Sequence, residues 1–198
     1  MIVMKPVRDI ELQPVDPEYA ASGKEWVQSV ALKIVQAGTD VGRAELFSAR
    51  VQDGLEAGQP LFSLCDYAQA TYDCGEAIFD FNLEEFRPKI CRLFNNIPPT
   101  LNFLLIHRME IEPEYRGKGV GLVVLLKVIK KWGRGCALAV IKPFPLQYED
   151  TEGREKELRR DRRKLINYYS KLGFVRIPGT EFYALSLGDR LPTVRSIS

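Results

Sequence analysis

The 198-residue chain has 45% hydrophobic residues and a formal net charge of +2, an ordinary composition for a globular protein. The small net charge argues against nucleic acid as the main partner, and no apolar run has the length of a membrane span. The cysteines form no C-x-x-C pair and the chain has one histidine, so we expect no metal site and reduced thiols in a cytoplasmic protein. The first residues are too short an apolar run for a secretory signal, and we expect one domain over residues 1–198.

In the first half of the chain, the hydrophobic pattern predicts a hairpin followed by a helix. Residues 5–23 contain prolines and aspartates and are expected to be irregular. Alternating residues predict strands over 27–35 and 41–51, joined by a turn at Ala37-Gly38. Apolar residues at helical spacing predict a helix over 61–79. The segment 82–96 is ambiguous.

In the second half, strands alternate with helices, which predicts an α/β fold. The predicted elements are strand 102–111, helix 122–132, strand 136–141, helix 152–172 and a hairpin of 175–177 with 182–187. The charges at 149–164 are of both signs and predict a solvated helix face rather than an RNA-binding one. The segment 142–147 contains two prolines, and we expect it either to shape a pocket or to serve as a rigid connector.

A basic, glycine-rich loop lies between strand 102–111 and helix 122–132. Its residues are Arg116, Gly117, Lys118, Gly119, Val120 and Gly121. Glycines allow several backbone N–H groups to point into one concavity, and the first turn of a helix leaves its own N–H groups unpaired. The sequence therefore predicts an anion site, with phosphate or pyrophosphate as its ligand.

Two common phosphate-binding motifs are excluded. The P-loop requires a glycine five residues before Gly-Lys-Ser/Thr, but Glu112 lies at that upstream position and Gly119 follows Lys118. The dinucleotide fingerprint Gly-x-Gly-x-x-Gly is also absent, because the third glycine comes one residue too early. The remaining pattern is Arg-x-x-Gly-x-Gly at a strand-to-helix junction.

That pattern resembles the acyl-CoA signature of the GNAT superfamily of N-acetyltransferases. A second stretch, residues 165–174, resembles the family's Tyr-x-x-x-Gly-Phe helix end, and the two motifs occur in the order that the family requires. The resemblance covers residues 102–187, with 1–101 as a variable N-terminal hairpin and helix part and 188–198 as a tail. It implies the GNAT fold, a mixed central β-sheet that splays between two parallel strands and is flanked by helices.

The resemblance also implies roles for individual residues. Acetyl-CoA would be the co-substrate, with its pyrophosphate on residues 116–121. Its pantetheine arm would bind the strand end at Met109, Glu110 and Ile111. Tyr169 would protonate the departing thiolate, whereas we expect the adjacent Tyr168 to point away from the site. The general base is expected to be Glu110 or His107. The alternative for His107 is a purely structural role.

The implied activity is transfer of an acetyl or other acyl group to a primary amine, by direct attack on the thioester. The acceptor, a small molecule or a peptide, is not defined by the sequence, and neither is the oligomeric state, a homodimer included. A different class of function stays open, namely a catalytically silent CoA-binding regulatory or interaction module. Thiol release from acetyl-CoA in the presence of an acceptor distinguishes the two.

Overall fold

The computed structural model describes residues 9–16, 26–146 and 153–192. Nine strands and six helices occur in these ranges, together with a short 3-10 turn at Pro113–Tyr115. The strands are β1 (Ile10–Pro14), β2 (Val27–Gln36), β3 (Thr39–Ala49), β4 (Phe79–Asp80), β5 (Glu85–Phe86), β6 (Phe103–Ile111), β7 (Leu138–Ile141), β8 (Val175–Arg176) and β9 (Tyr183–Ser186). The helices are α1 (Val51–Glu56), α2 (Leu61–Cys65), α3 (Gln69–Ile78), α4 (Pro88–Leu93), α5 (Val120–Trp132) and α6 (Glu155–Ser170).

Seven of the strands form one mixed sheet in the order β1-β2-β3-β6-β7-β9-β8. Strands β6 and β7 are parallel, and the other neighbours in this sheet are antiparallel. Strands β4 and β5 form a separate small hairpin. The α/β class and the mixed sheet are thereby confirmed.

Helices cover both faces of the sheet, and each face has its own apolar core. On one face, Leu104 and Ile106 of β6 pack with buried residues of α5 and with Tyr169 of α6. On the other face, Phe103 and Leu105 pack with α2, α3 and α4. Helix α5 is buried over most of its surface, which explains its nearly continuous run of Val, Leu and Ile.

Two predicted elements differ from the structure. Residues 5–23 include strand β1, which pairs with β2 at the edge of the sheet, where Pro14 is tolerated. Residues 5–8 and 17–23 lie outside the described ranges. The single helix predicted over 61–79 is divided into α2 and α3. The Thr71 hydroxyl binds the backbone N–H of Ala68 at 2.9 Å, and Ala68 itself is extended, so the helix begins anew there.

The parallel pairing of β6 with β7 ends before β6 does. The last pair is Ile106 with Ile141, and β6 continues to Ile111. Pro143 and Pro145 follow closely after β7, and a proline has no N–H to donate to a sheet. The ladder between β6 and β7 therefore does not extend to residues 109–111 within the described part of the chain.

A β-bulge also lies in β6, at His107. Glu45 of β3 pairs with Arg108, but the next residue, Leu46, pairs with Ile106. The extra residue reverses the alternation of side chains beyond it. Met109 and Ile111 therefore pack on the α5 face, together with Leu104 and Ile106 from before the bulge.

Buried Asn102 joins three parts of the fold at the start of β6. Its side-chain oxygen accepts a hydrogen bond from the Gln52 backbone N–H at 2.8 Å, and its amide donates to the Gly135 carbonyl at 3.3 Å. We expect Asn102→Ala to lower the free energy of unfolding by about 1–3 kcal/mol, because both partners lose a buried hydrogen bond. Urea denaturation measures this change, and Asn82→Ala, at an exposed turn residue, is the matched control. Equal losses for the two variants would contradict the assignment.

Candidate active site

A cavity of about 600 Å³ lies where β6 has lost its parallel neighbour. It is bounded by the end of β6, by the glycine-rich loop with the start of α5, by the segment after β7, and by one face of α6. Its lining residues are Met109, Glu110, Ile111, Tyr115, Arg116, Gly117, Gly119, Val120, Gly121, Phe144, Pro145, Leu146, Asp161, Lys164, Leu165, Tyr168 and Tyr169. The predicted loop, the strand end and Tyr169 thus meet at one cavity, whereas Lys118 and His107 are not part of its lining.

The loop has the backbone geometry that its glycines permit. Gly117 and Gly119 have φ values of +72° and +80°, in the left-handed region that other residues rarely adopt. Gly119 is the N-cap residue of α5, and no side chain caps the helix at that position. The first N–H groups of α5 are thus directed toward the cavity end of the helix, where the helix dipole favours an anion.

Arg116 connects the loop to the strand end. Its Nε donates to the Ile111 carbonyl at 2.6 Å, and its guanidinium lies 3.8 Å from the Glu110 carboxylate. The same carboxylate accepts hydrogen bonds from the Arg43 guanidinium at 2.9 and 3.0 Å. Arg43 and Glu110 are opposite each other on β3 and β6, so this ion pair joins the two neighbouring strands beside the cavity. Glu110 therefore lies at the site in an ionic contact with two arginines.

Lys118 has a different environment. Its ammonium group lies 5.6 Å from the centre of the Tyr115 ring, a cation–π geometry outside the cavity wall. Its charge still lies on the loop, but its side chain is not in direct contact with the cavity. Any effect of Lys118 on an anion in the cavity would therefore act through the field of the loop.

His107, the bulge residue, is on the far side of β6 from the cavity. Its ring is 5.7 Å from the ring of Phe47, which packs against the α2–α3 core. Glu110 lies between Met109 and Ile111, which face α5, so its side chain is on the same face of the sheet as His107. Of the two candidates for the general base, Glu110 is the one that borders the cavity.

Tyr169 is buried between α6 and the sheet. It is 6% exposed, and its ring lies 6.3 Å from that of Phe174 and 5.8 Å from that of Tyr168. Burial raises the pKa of its hydroxyl well above the usual range, and the neighbouring Tyr168 raises it further. The hydroxyl is therefore protonated at neutral pH and can act as a proton donor.

Tyr168 lines the same cavity, so the expectation that it points away from the site is wrong. A Cβ atom on Gly121 would lie 2.8 Å from the Tyr168 hydroxyl oxygen. Burial raises the pKa of Tyr168 to about 12, while a hydrogen bond with the Leu122 backbone lowers it. The Tyr168 hydroxyl is thus hydrogen-bonded to one backbone group in the first turn of α5. That group is close to where the loop would bind an anion.

The remaining walls are apolar with one ionic group. Phe144, Pro145 and Leu146 form the wall after β7, so this segment borders the cavity; whether it shapes the acceptor pocket stays a prediction. Asp161 of α6 accepts a hydrogen bond from Lys164 at 3.0 Å, and both line the cavity. The charged side chains of α6 are mostly exposed, as expected for a solvated helix face.

Several lining residues were missed by the sequence analysis, and the helical ones carried a usable signal. Asp161, Leu165 and Tyr168 follow one another at spacings of four and three, which places them on one stripe of α6. That stripe lies beside the one formed by Leu165, Tyr169 and Leu172. Tyr115 carried no such signal, because its position at the cavity results from the 3-10 turn at Pro113–Tyr115.

Comparisons of the chain with protein-family models, with curated proteins and with solved structures found no match. Within the described residues, no group of three or more His, Cys, Asp or Glu side chains could hold a metal ion. No helix among those residues is both long and apolar enough to cross a membrane. The fold and the site together define an α/β protein with a cavity between the open edge of a central strand and the start of a helix.

The contact between Gly121 and Tyr168 can be tested by a double-mutant cycle. In the parent, Gly121→Ala places a methyl group against the Tyr168 hydroxyl, and we expect a loss of about 1 kcal/mol or more in unfolding free energy. In combination with Tyr168→Phe the obstacle is removed, and alanine should instead stabilise α5 by up to about 1 kcal/mol. Urea denaturation of the four proteins gives the coupling, and additive effects would show that the two residues do not touch.

Proposed function

We propose that this chain is a GNAT-type N-acetyltransferase, which moves an acetyl group from acetyl-CoA to a primary amine. The observation that carries this proposal is the cavity shared by the glycine-rich loop, the open edge of β6, buried Tyr169 and half-buried Tyr168. Acetyl-CoA is a substrate with an anionic pyrophosphate, an extended amide-bearing arm and a reactive thioester. Each of these parts has a counterpart in the cavity.

The loop suits the pyrophosphate. It combines two left-handed glycines, the uncapped start of α5 and the positive charges of Arg116 and Lys118. Backbone N–H groups at a helix start bind phosphate oxygens without any need for a dedicated side chain. This accounts for the basic composition of the loop and for the small residues at positions 117, 119 and 121.

The open edge of β6 suits the pantetheine arm. The backbone of Met109, Glu110 and Ile111 has no strand partner on the cavity side among the described residues. An extended ligand with amide groups can hydrogen-bond to such an edge as an added strand does. The apolar wall of Phe144, Pro145 and Leu146 lies on the side where β7 would have continued.

The sheet supports the same assignment. A mixed sheet with a single parallel pair at its centre, and a gap where that pair ends, is the arrangement that the GNAT resemblance implies. The motif resemblance and the site geometry together support the proposal. The acceptor amine would approach the thioester through the gap beyond Ile106 and Ile141.

The chemistry requires two proton transfers. The nitrogen lone pair of the acceptor forms a bond to the thioester carbon, and the C–S bond then breaks with its electron pair leaving on sulfur. Tyr169 donates its hydroxyl proton to that sulfur, and a base accepts the proton lost by nitrogen. Glu110 is the base candidate at the cavity, although its carboxylate must leave or share the Arg43 contact to do so.

That ion pair is the specific observation in favour of the second candidate function, a silent CoA-binding module. If Arg43 and Arg116 hold Glu110 permanently, the cavity can bind acetyl-CoA without activating an amine. Thiol release in an acceptor screen separates the candidates, because only the transferase releases coenzyme A when an amine is added.

We expect Gly119→Val to abolish detectable acetyl-CoA binding in calorimetry. A β-branched residue is strongly disfavoured at φ +80°, and its side chain would also fill the space that the pyrophosphate must approach. Gly58→Val is the matched control, since Gly58 has φ +82° in a turn outside the site. Equal acetyl-CoA affinity of the parent and Gly119→Val would refute the loop assignment.

We expect Tyr169→Phe and Tyr168→Phe to affect different constants. Tyr169→Phe removes a proton donor, and turnover should fall roughly a hundredfold to ten-thousandfold while acetyl-CoA affinity is kept. Tyr168→Phe frees the backbone of Leu122 at the start of α5, and should change acetyl-CoA affinity more than turnover. Steady-state kinetics with calorimetry measure both. An unchanged turnover for Tyr169→Phe, with chemistry rate-limiting, would make Tyr169 a core residue only.

A further inference from the structure

The sheet face opposite α5 carries an exposed aromatic patch. We define it by the rings of Phe62 on α2, Tyr72 on α3 and Phe81 in the β4–β5 hairpin. Phe62 lies edge-on to Tyr72 at 5.8 Å and to Phe81 at 5.7 Å, and the latter two are stacked at 6.2 Å. Phe62 is 47% exposed. Leu83, in the β4–β5 hairpin with Phe81, is 66% exposed. Apolar side chains clustered at a surface mark an interaction site more often than isolated ones do.

The segment that carries this patch is acidic, and basic residues lie at its margin. The Arg87 guanidinium donates to the Glu76 carbonyl at 2.9 Å, and Lys89 and Lys142 line the same groove as Asp73 and Glu76. Residues 51–86, which contain the patch, hold eight Asp and Glu residues, whereas all 28 Lys and Arg residues of the chain lie outside that segment. The Glu76 carboxylate accepts a hydrogen bond from the Tyr72 hydroxyl at 3.2 Å. This bond raises the pKa of Tyr72, and the carboxylates of Asp66 and Asp73 add to the effect. Three carboxylates are thus close to one ring of the patch.

Cationic side chains are the ligands that suit this surface. The faces of aromatic rings attract ammonium and guanidinium groups, and carboxylates at the rim pair with the same groups. The exposed Phe62 and Leu83 also offer contact area to an apolar side chain. The same carboxylates repel nucleic acid and anionic lipid, so the charge complement is a basic peptide rather than either of those.

A second group of aromatic contacts lies between the link that joins α2 to α3 and the open edge of β6. Tyr67, in the link between α2 and α3, is 6.1 Å from Phe47, whose ring is 5.7 Å from that of His107. His107 belongs to the part of β6 beyond its last pair with β7. A peptide bound on the patch that continued past Tyr67 and Phe47 would approach the gap from the face opposite the candidate acetyl-CoA cavity.

We infer that the patch of Phe62, Tyr72 and Phe81 is a docking site for a peptide segment rich in Lys or Arg with an apolar residue. If the proposed function holds, that segment belongs to the acceptor and presents its amine at the gap. This step alone rests on the proposed function. Binding of the peptide itself needs no acetyl-CoA and is a property of residues 51–86.

Fluorescence anisotropy tests the docking site, with a fluorescein-labelled peptide repeating Lys-Lys-Leu-Gly added to the full chain without acetyl-CoA. We expect saturable binding that weakens with added salt, and no binding of the same peptide with Glu in place of Lys. Phe62→Ala should weaken binding roughly twofold to fivefold. The double variant Asp66→Asn with Glu76→Gln should weaken it roughly twofold to tenfold.

Glu157→Gln is the matched charge control, because Glu157 is an exposed acid on α6, across the sheet from the patch. It should bind the peptide as the parent does. Leu83→Ala is a second apolar variant, at a more exposed residue whose loss should leave folding intact. Parent-like binding by the Phe62 and Leu83 variants would overturn the proposal. So would sedimentation showing that Phe62→Ala converts a dimer of this chain into a monomer, which would make the patch a self-association surface.

The outcome is independent of the acetyl-CoA assignment. Gly119→Val, expected to lose acetyl-CoA, should bind the peptide as the parent does. If the parent binds peptide but not acetyl-CoA, the docking site stands and the proposed transferase function fails. If it binds acetyl-CoA but not the lysine peptide, the proposed function stands and the docking site fails.

Discussion

Strand β6 is held by β3 along its whole length but by β7 only as far as Ile106, and the site depends on this difference. The cause lies in the chain after β7, where Pro143 and Pro145 cannot donate backbone hydrogen bonds to a continuing strand. An unpaired strand edge inside a protein requires either solvent or a ligand for its N–H and C=O groups. The cavity supplies that space, so the same prolines that follow β7 also leave the end of β6 facing the cavity.

The bulge at His107 determines what faces the cavity. Without it, the alternation of β6 would place Met109 and Ile111 on the same face as Phe103 and Leu105, and the apolar strand end would turn away from α5. With it, both residues join the α5 core, while His107 contacts Phe47 on the opposite face. A single extra residue thus directs Met109 and Ile111 toward α5 and places Glu110, with its partner Arg43, on the other face of the strand end that borders the cavity.

The sequence was sufficient for the elements with strong patterns and insufficient for features that depend on distant partners. The strand ending at Ile111, the loop at 116–121 and α5 were located because their hydrophobic period and glycines are local signals. The bulge was not, since it arises from the register of β6 against β3. Nor was the break between α2 and α3, which a hydroxyl of Thr71 causes within an otherwise helical pattern.

The position of Tyr168 shows the limit of reasoning from helix faces. Adjacent helical residues point about 100° apart, so we expected only one tyrosine at the site. The cavity is wide enough to be lined by both tyrosines. The long Tyr168 side chain reaches the start of α5 from the edge of the helix face that borders the cavity. The two tyrosines consequently differ in what they contact: Tyr168 binds the backbone of the helix start, and Tyr169 is buried against Phe174. Tyr168 already forms a hydrogen bond with the Leu122 backbone near the glycine-rich loop. Under the proposed function, this bond would compete with a ligand for the backbone groups at the start of α5. Under the proposed function, this contact of Tyr168 is a reason to assign the proton donor to Tyr169 instead.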